Sequence, residues 1–238
     1  MRADPGLLAE LVDANRILAG QGVVDAFGHV SVRHNESADH FLLARNMAPG
    51  NATPDDILTF GLDGEPIDAE GRSVYLERFI HSEIYRLRPD VVSVVHSHSM
   101  SVVPFSVSQS ARLRAVCHMG GFLGCDVPNF EIRDVCGAGS DLLIRDGVSG
   151  GALARTLGSG AVALMRGHGS TVVGPTLRLA VFRAVYTEVN ARVQLQALQL
   201  GAVTYLTPEE CDAATKGVGS QVDRAWNYWK AQADGPRR

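Results

Sequence analysis

The chain has 238 residues, 45% of them hydrophobic and 20% charged, so it can bury a sizeable core and is not expected to be disordered. The formal net charge is −4 with a pI near 6.0, and no dense lysine and arginine cluster suggests a nucleic-acid surface. No apolar stretch reaches membrane-spanning length, and the N-terminus lacks the pattern of a signal peptide. We therefore predict a single domain, residues 1–238, in the cytoplasm, with neither nucleic acid nor membrane as a partner.

The chain alternates between helical and strand patterns. Apolar spacing predicts a first helix at residues 5–22, followed by strand patterns at 29–34, 40–45 and 55–67, the last with an internal Asp-Gly turn. An amphipathic helix is predicted next, then a buried strand, a pair of strands around a turn, a long helix and the start of another, at residues 75–90, 91–98, 160–174, 176–201 and 207–217. Residues 231–238 are predicted to form a flexible tail.

These elements define the expected fold class. Strand-to-strand turns combined with covering helices indicate an α/β protein with a central mixed or antiparallel sheet, not a doubly wound parallel one. No helix or strand is predicted between residues 99 and 159.

A histidine pair ends the buried strand. His96 and His98 follow the apolar run VVSVV, and side chains two residues apart in a strand point to the same face. The two imidazoles could therefore share a metal ion without distortion of the backbone. For a motif this short, two ordinary polar side chains at a strand end are the favoured alternative.

Two further features favour the metal site. His168 lies between Gly167 and Gly169, which allow a tight turn directly after the apolar run AVALM. Three histidines with an open position are typical of a catalytic zinc-type site. Glu77 lies near the predicted start of a helix, four residues before His81, and could serve as a fourth ligand or as a base.

The other polar side chains of this helix have simpler interpretations. We interpret His81 as a residue that packs in the core or supports the site from behind. Glu83 and Arg78 are interpreted as solvated surface charges, as most residues of these types are.

The motifs taken together resemble the class II aldolase/adducin family. The resemblance rests on GHVSVR, followed in order by Pro49-Gly50, the Glu77 helix, IYRLRPDVVSVVHSHS and LMRGHGSTVVG. It extends over most of the chain, from about residue 5 to about residue 210. It implies a three-layer α/β/α sandwich around a mostly antiparallel sheet.

The resemblance also implies a metal site and an assembly. His96, His98 and His168 would bind one divalent metal ion per subunit, most often zinc, with Mn²⁺, Co²⁺, Fe²⁺ and Mg²⁺ as alternatives. The glutamate at position 77 would act as acid and base. Enzymes of this family commonly form tetramers with the active site between subunits, so we predict a homo-oligomer of that kind.

Three departures from the sugar-phosphate aldolases concern the phosphate site. His29 replaces an asparagine, and the loop Met47–Gly50 lacks hydroxyl groups. Tyr75 and Leu76 replace two serines that precede the glutamate. A bound phosphate dianion needs several hydrogen-bond donors. The losses predict a substrate without a phosphate at this position, bound beside an apolar or aromatic wall.

The remaining pattern looks more like the decarboxylase-type branch of the family, which acts on carboxylated products of aromatic-ring catabolism. We predict a metal-dependent lyase that decarboxylates a non-phosphorylated, hydroxylated acid through a metal-stabilised enolate. Glu77 would move the proton, while His29 or His118 assists or binds the substrate carboxylate. His118 falls near the family's cross-subunit tyrosine acid, and an ordinary loop histidine is the equal alternative.

Candidate substrate-binding residues come from several loops. The first choices are Arg33, Pro49, Gly50 and Tyr75, and Arg45, Phe122 and Arg133 are further candidates for specificity. For Arg33 and Arg45, a plain surface charge is the favoured alternative.

Three other functions remain open. An aldolase that cleaves a hydroxy-carbonyl substrate resembling a sugar, with or without a phosphate, would use the same metal site. A non-catalytic interaction module similar to the adducin head would keep the fold and lose the ligands. An oxygen-handling metal protein is disfavoured, because the sequence lacks a second carboxylate set and redox cysteines.

Overall fold

The fold is built on one sheet of seven strands. The computed structural model describes residues 3–235, and its strands are β1 (His29–Arg33), β2 (His40–Ala44), β3 (Ile57–Gly61), β4 (Ser93–Ser97), β5 (Asn129–Phe130), β6 (Val162–Met165) and β7 (Gly169–Gly174). Their order is β3-β2-β1-β4-β7-β6-β5. All neighbours are antiparallel except β5 and β6, so the predicted mostly antiparallel sheet is confirmed.

Two groups of helices cover this sheet. The helices are α1 (Pro5–Gly20), α2 (Arg78–Leu87), α3 (Val103–Val107), α4 (Arg133–Cys136), α5 (Gly147–Leu157), α6 (Leu177–Leu200), α7 (Pro208–Gly219) and α8 (Val222–Ala233). Helices α1, α6 and α8 pack on one another, with α6 against β4 and β7, whereas α2 packs on α5 and β4. The result is the predicted α/β/α sandwich.

Capping side chains define where the two longest helices begin. Asp4 accepts a hydrogen bond from the backbone N–H of Leu7, and Pro5 occupies the first position of α1. Thr176 accepts from the N–H of Leu179 at the start of α6. Both caps satisfy backbone donors that a helix start leaves without intrahelical partners.

Strand β4 lies at the centre of the sheet and positions the histidine pair. All five of its residues are buried, and it pairs with β1 on one side and with β7 on the other. In this register His96 lies opposite His29 of β1, and Ser97 lies opposite Ser170 of β7. The end of β4 is therefore fixed by two strand pairings, which gives a ligand site a rigid support.

The prediction of a second strand after the Asp-Gly turn is wrong. After the turn at Gly64, only an isolated bridge joins Phe60 to Pro66. Proline has no N–H to donate to a ladder. The Asp68 side chain accepts from the Thr59 N–H at 2.8 Å, which takes the donor that a continuing strand would use.

Helices α5 and α8 lie where no complete helix was predicted. Helix α5 contains three glycines, and glycine is a weak helix former. A Cβ at Gly150 would lie 2.5 Å from the carbonyl oxygen of Phe79, so this glycine allows α5 to approach α2 closely. Tertiary packing therefore overrides the local propensity of this segment.

The interpretation of Glu83 as a solvated charge is also wrong. Glu83 is only 7% exposed, and its carboxylate accepts from the guanidinium of Arg86 and lies against Gly147 and Gly151 of α5. Arg78 is partly buried and donates to the carbonyl oxygen of Gly64 at 2.6 Å. Both side chains connect α2 to its neighbours.

The C-terminal helix extends into the segment that we predicted to be a flexible tail. Helix α8 continues to Ala233, so residues 231–233 are helical. Residues 236–238 lie outside the described part of the chain. Within residues 3–235, no helix combines the length and the apolar character needed to cross a membrane. The single domain and the cytoplasmic location stay predictions.

The close packing beside His168 gives a stability test. A Cβ at Gly169 would overlap the carbonyl oxygen of Ser97, which is backbone and cannot move aside cheaply. We expect Gly169→Ala to lower the free energy of unfolding by about 1–3 kcal/mol, as overpacking does. Gly217→Ala is the matched control, since a Cβ there meets nothing within 4 Å and alanine favours the helix. Urea unfolding measures both, and equal stabilities would contradict this account.

Candidate metal centre

Three histidines meet at one edge of β4 and β7. His96 is in β4, His98 follows directly after it, and His168 lies in the turn between β6 and β7. Gly167 has a φ of +66° in this turn, and the N–H of His168 donates to the carbonyl of Met165 at 3.0 Å. The antiparallel pairing of β4 with β7 brings the turn to the His-Ser-His segment.

The donor atoms of the cluster converge on a small volume. His98 Nε2 lies 3.1 Å from His96 Nε2 and 3.0 Å from His168 Nε2. One ligand atom from each of Glu77, His96, His98 and His168 lies within 4.8 Å of all the others. The predicted ligands are therefore brought together by the fold.

Backbone carbonyls determine which ring nitrogens carry protons. The Nδ1 atom of His96 lies 3.1 Å from the carbonyl oxygen of Ser170, and Nδ1 of His168 lies 2.9 Å from that of Leu142. A carbonyl oxygen only accepts, so both Nδ1 atoms donate and both Nε2 atoms keep their lone pairs. A cation between the two rings would be bound by both of these lone pairs. This donor set fits a divalent metal, with the backbone orientation typical of metal-ligating histidines.

Glu77 completes the cluster from the N-terminal end of α2. It occupies the N-cap position, so the predicted helix start is three residues too early. Its Oε1 accepts from the backbone N–H of Ile144 at 3.0 Å, while Oε2 lies 3.5 Å from His96 Nε2 and 3.4 Å from His168 Nε2. Burial raises the pKa of Glu77, but the two imidazoles lower it by more, so the pKa lies well below its usual range. Glu77 is a carboxylate at neutral pH.

His29 lies beside the cluster and contacts its inner side. Its ring centroid is 5.0 Å from that of His96 and 4.6 Å from that of Tyr75. Burial, followed by the neighbouring His81 and His96, holds the pKa of His29 well below its usual value. Burial likewise lowers the pKa of His81 to about 3. Both rings are therefore neutral at pH 7.

Tyr75 connects the centre to the loop Met47–Gly50. Its hydroxyl donates to the carbonyl of Met47, and burial raises the pKa of Tyr75 to about 12. Pro49 is buried in a short 3-10 helix (Pro49–Asn51), and a Cβ at Gly50 would lie 3.1 Å from the Ala19 side chain of α1. Of the four first-choice candidates for substrate binding, Tyr75 has a ring contact with His29 beside the cluster.

Arg33 is not brought to the cluster. It ends β1, four residues beyond His29, and its guanidinium donates to the carbonyl oxygens of Ala38, Val91, Tyr85 and Arg88. It also lies over the ring of Tyr85 at 4.7 Å. Its donors hold backbone at the other end of the strand, and substrate binding by Arg33 stays a prediction.

The remaining candidates also lie apart from the four ligands. Arg45 forms an ion pair with Asp56 at 2.7 Å, and Arg133 forms one with Glu131 at 2.7 Å. His118 and Phe122 belong to a 3-10 helix (His118–Leu123) that contacts α6 and α7. His118 lines a cavity of about 790 Å³ with residues of α6, α7 and α8. A role of His118 in the active site of a neighbouring subunit stays a prediction.

Several residues that support the centre were not predicted. Leu142 and Ile144 act through backbone groups, which leave no side-chain signal in the sequence. The Glu188 carboxylate of α6 accepts from the hydroxyls of Ser99 and Ser101 and so fixes the loop after His98. The sequence does indicate Glu188, because it is an acidic residue on a mostly apolar face of a long helix. A carboxylate buried there requires hydrogen-bond partners.

Comparisons with known proteins agree with this geometry. The family described as "Class II Aldolase and Adducin N-terminal domain" matches residues 9–195. "Decarboxylase tropJ" of Talaromyces stipitatus is 38% identical over 245 residues, which cover 92% of this chain and 90% of that protein. The 3,4-dihydroxyphthalate decarboxylase of Terrabacter sp. is 30% identical over 235 residues, covering 92% and 93%. A solved L-fuculose 1-phosphate aldolase from Glaciozyma antarctica has a TM-score of 0.75 at 27% identity, over 96% of this chain and 86% of that one.

The chain therefore belongs to the class II aldolase and adducin family, as its motifs predict. The three similar proteins described above are two decarboxylases and an aldolase, which is consistent with the predicted lyase. Class II aldolases use a divalent metal, and the glutamate and histidine cluster is a group that could bind one.

The buried histidines predict a pH dependence of stability. The pKa of His81 is about 3 in the folded protein, whereas that of an unfolded histidine is near 6.5. Between these values the unfolded chain binds more protons, so the free energy of unfolding falls as the pH falls below 6.5. His81 alone contributes a slope of about 1.4 kcal/mol per pH unit there.

Urea unfolding of metal-free protein between pH 4.5 and 7 measures this slope. We expect His81→Gln to reduce the slope, even where it also lowers stability at pH 7, since glutamine does not titrate. His40→Gln is the control, because His40 lies in β2 and is only partly buried. An unchanged slope in His81→Gln would contradict the burial of a neutral ring.

Proposed function

We propose that this chain is a divalent-metal-dependent decarboxylase of a non-phosphorylated, hydroxylated carboxylic acid derived from an aromatic ring. The observation that carries the proposal is the convergence of three histidine Nε2 atoms with the ionised carboxylate of Glu77. Zinc is the metal that we expect first, since three histidines and a carboxylate suit it, and Mn²⁺, Co²⁺, Fe²⁺ or Mg²⁺ could replace it.

The proposed roles follow from the contacts of each group. His96, His98 and His168 would hold the metal, which when bound supplies a Lewis acid for substrate oxygens and for the charge that develops as CO₂ leaves. Glu77 lies against this donor set with one oxygen held by the Ile144 N–H. Its other oxygen faces His96 and His168 and is placed to move one proton at the substrate.

The loop Met47–Gly50 supports a substrate without a phosphate. The loop contains no side-chain hydroxyl, and the carbonyl of Met47 already accepts from the Tyr75 hydroxyl. The guanidinium groups of Arg33 and Arg45 are bound to backbone carbonyls and to Asp56. A dianion at this position would lack the charged donors that it needs.

Exposed apolar side chains beside the cluster support an aromatic substrate. Phe27 is 67% exposed, and its ring centroid lies 6.4 Å from that of His98. Met100, two residues after His98, is 84% exposed, and Leu76, next to Glu77, is 54% exposed. Large apolar residues at the mouth of a polar site favour a flat apolar ligand that covers them.

The predicted homotetramer is part of this proposal. The enzymes of this family place the active site between subunits, so a second chain would approach the exposed side of the cluster. His118 would then reach the neighbouring site from the cavity that it lines with residues of α6, α7 and α8.

An aldolase on a hydroxy-carbonyl substrate is the second candidate. The structural similarity to an L-fuculose 1-phosphate aldolase favours it, since both reactions cleave a C–C bond and need an acid or base at the same place. The product separates the two, because retro-aldol cleavage gives an aldehyde or ketone and no CO₂. An adducin-like module without catalysis is disfavoured, since all four donors are present and converge.

Metal content tests the first half of the proposal. We expect purified wild-type protein to contain one divalent ion per chain by elemental analysis. His98→Ala should retain less metal after dialysis than the wild type, because it removes one of the three imidazole ligands. His40→Ala, a histidine of β2 outside the cluster, should keep it. Equal metal content in the two variants would contradict the site.

Release of CO₂ tests the second half. A panel of carboxylated catechols is incubated with metal-loaded protein, and CO₂ is measured directly. We expect Glu77→Gln to lower kcat about 10²–10⁴-fold while retaining metal, the size of a general acid or base contribution. Glu65→Gln, which changes the exposed ion-pair partner of Arg78, should leave kcat unchanged. Full activity of metal-stripped protein would refute the proposed reaction.

A further inference from the structure

A chain of buried polar side chains runs from the metal centre into the core. His29 and Ser31 are two residues apart in β1, and His81 and Tyr85 are four residues apart in α2, so each pair shares one face of its element. Their exposures are 4%, 0%, 0% and 1%. Burying polar groups costs free energy unless each has a hydrogen-bond partner. We therefore expect this series of four buried polar side chains to serve more than packing.

Three short contacts connect these four residues, and a longer one leads from Tyr85 to Val92. His29 Nδ1 lies 2.6 Å from His81 Nε2, and His81 Nδ1 lies 2.6 Å from Ser31 Oγ. Ser31 Oγ lies 2.7 Å from the Tyr85 hydroxyl, which donates to the carbonyl oxygen of Val92 at 3.3 Å. The chain therefore ends on a group that can only accept.

This end point determines the direction of every hydrogen bond in the chain. Because the Tyr85 proton points to Val92, the Ser31 hydroxyl donates to Tyr85 and accepts from Nδ1–H of His81. A neutral imidazole has one N–H, so His81 Nε2 accepts from Nδ1–H of His29. If every hydrogen bond of the series ran in the opposite direction, no proton would lie between the Tyr85 hydroxyl and the Val92 carbonyl. The series would then contain one hydrogen bond fewer.

The consequence falls on the other nitrogen of His29. With its single proton on Nδ1, His29 presents Nε2 as a bare acceptor, and this atom forms no hydrogen bond with any residue from 3 to 235. The ring lies between those of Tyr75 and His96, so the acceptor belongs to the metal centre.

We propose that His81, Ser31 and Tyr85 are positioning residues that hold His29 in its Nδ1–H tautomer, so that Nε2 accepts a hydrogen bond from a ligand hydroxyl. This assignment deepens the proposed function and rests on it only for the identity of the ligand. A carboxylate has no proton to donate to this nitrogen, so a substrate hydroxyl, such as a phenol, binds here and the carboxylate lies elsewhere. His29 thus acquires a narrower role than the one predicted from its type.

Nitrogen NMR of the histidine rings tests the tautomer without any turnover. Isotope-labelled, zinc-loaded protein is used, and a His29→Gln variant assigns the signals. We expect a proton on Nδ1 of His29 and none on Nε2. In Ser31→Ala, His81 loses its acceptor, and we expect His29 to become a mixture of both tautomers. A wild-type proton on His29 Nε2 would overturn the proposal.

Ser93→Ala is the matched control. Ser93 is equally buried and lies opposite Val32 in the neighbouring strand, but its hydroxyl donates to the backbone carbonyl of Ser31 at 2.7 Å. It should leave the His29 signals unchanged. Tyr85→Phe keeps the ring in the core and carries the test if Ser31→Ala does not fold. A single unchanged tautomer in every folded variant of the chain would refute the positioning role.

Ligand binding tests the hydroxyl assignment separately. The probes are catechol and its dimethyl ether, measured by competition in zinc-loaded protein. We expect the preference for catechol to fall about tenfold in Ser31→Ala and to persist in Ser93→Ala, the effect of about one hydrogen bond. An unchanged preference would overturn the assignment. Failure to release CO₂ with the His29 tautomer intact would instead count against the proposed reaction alone.

Discussion

The orientation of two imidazole rings by backbone carbonyls is the constraint on which the centre depends. The carbonyl oxygens of Ser170 and Leu142 accept hydrogen bonds from Nδ1–H of His96 and His168. Both Nε2 lone pairs therefore point inward. His98 brings a third nitrogen within 3.1 Å of both. A cation between these atoms would be bound by the two inward-facing lone pairs together with His98. The sheet keeps these donors in place because β4 is paired on both sides.

Glu77 contributes a negative charge to the same centre. A carboxylate that is 7% exposed would be unfavourable alone, and the hydrogen bond from the Ile144 N–H stabilises its charge. Its place at the N-cap of α2 adds the partial positive charge of the helix start. A bound cation would strengthen this effect, since an ion is the largest local charge in such a site. Metal affinity and the ionisation of Glu77 are therefore coupled.

Side chains with regular spacing could be predicted from the sequence, whereas those that depend on distant partners could not. The strand spacing of His96 and His98 and the glycines around His168 indicated residues that the fold brings together, because these patterns act locally. Leu142 and Ile144 contribute backbone groups from a segment without periodicity, so no pattern indicated them. Arg33 and Glu83 look like surface charges in sequence, and only the packing of α2 and α5 shows which groups they bind.

The layer formed by β1 and α2 links catalysis to recognition. Helix α2 places Glu77 beside the histidine cluster from its N-cap position, and its following turns place His81 and Tyr85 behind His29. A shift of this helix along β1 would displace Glu77 and disturb the contacts of His29 together, because both depend on the same backbone. The chemistry of C–C cleavage needs only the metal and a proton carrier, which aldolases and decarboxylases share. Selection between substrates must then come from the groups around them, and His29, Tyr75 and Phe27 are the side chains that this chain places there.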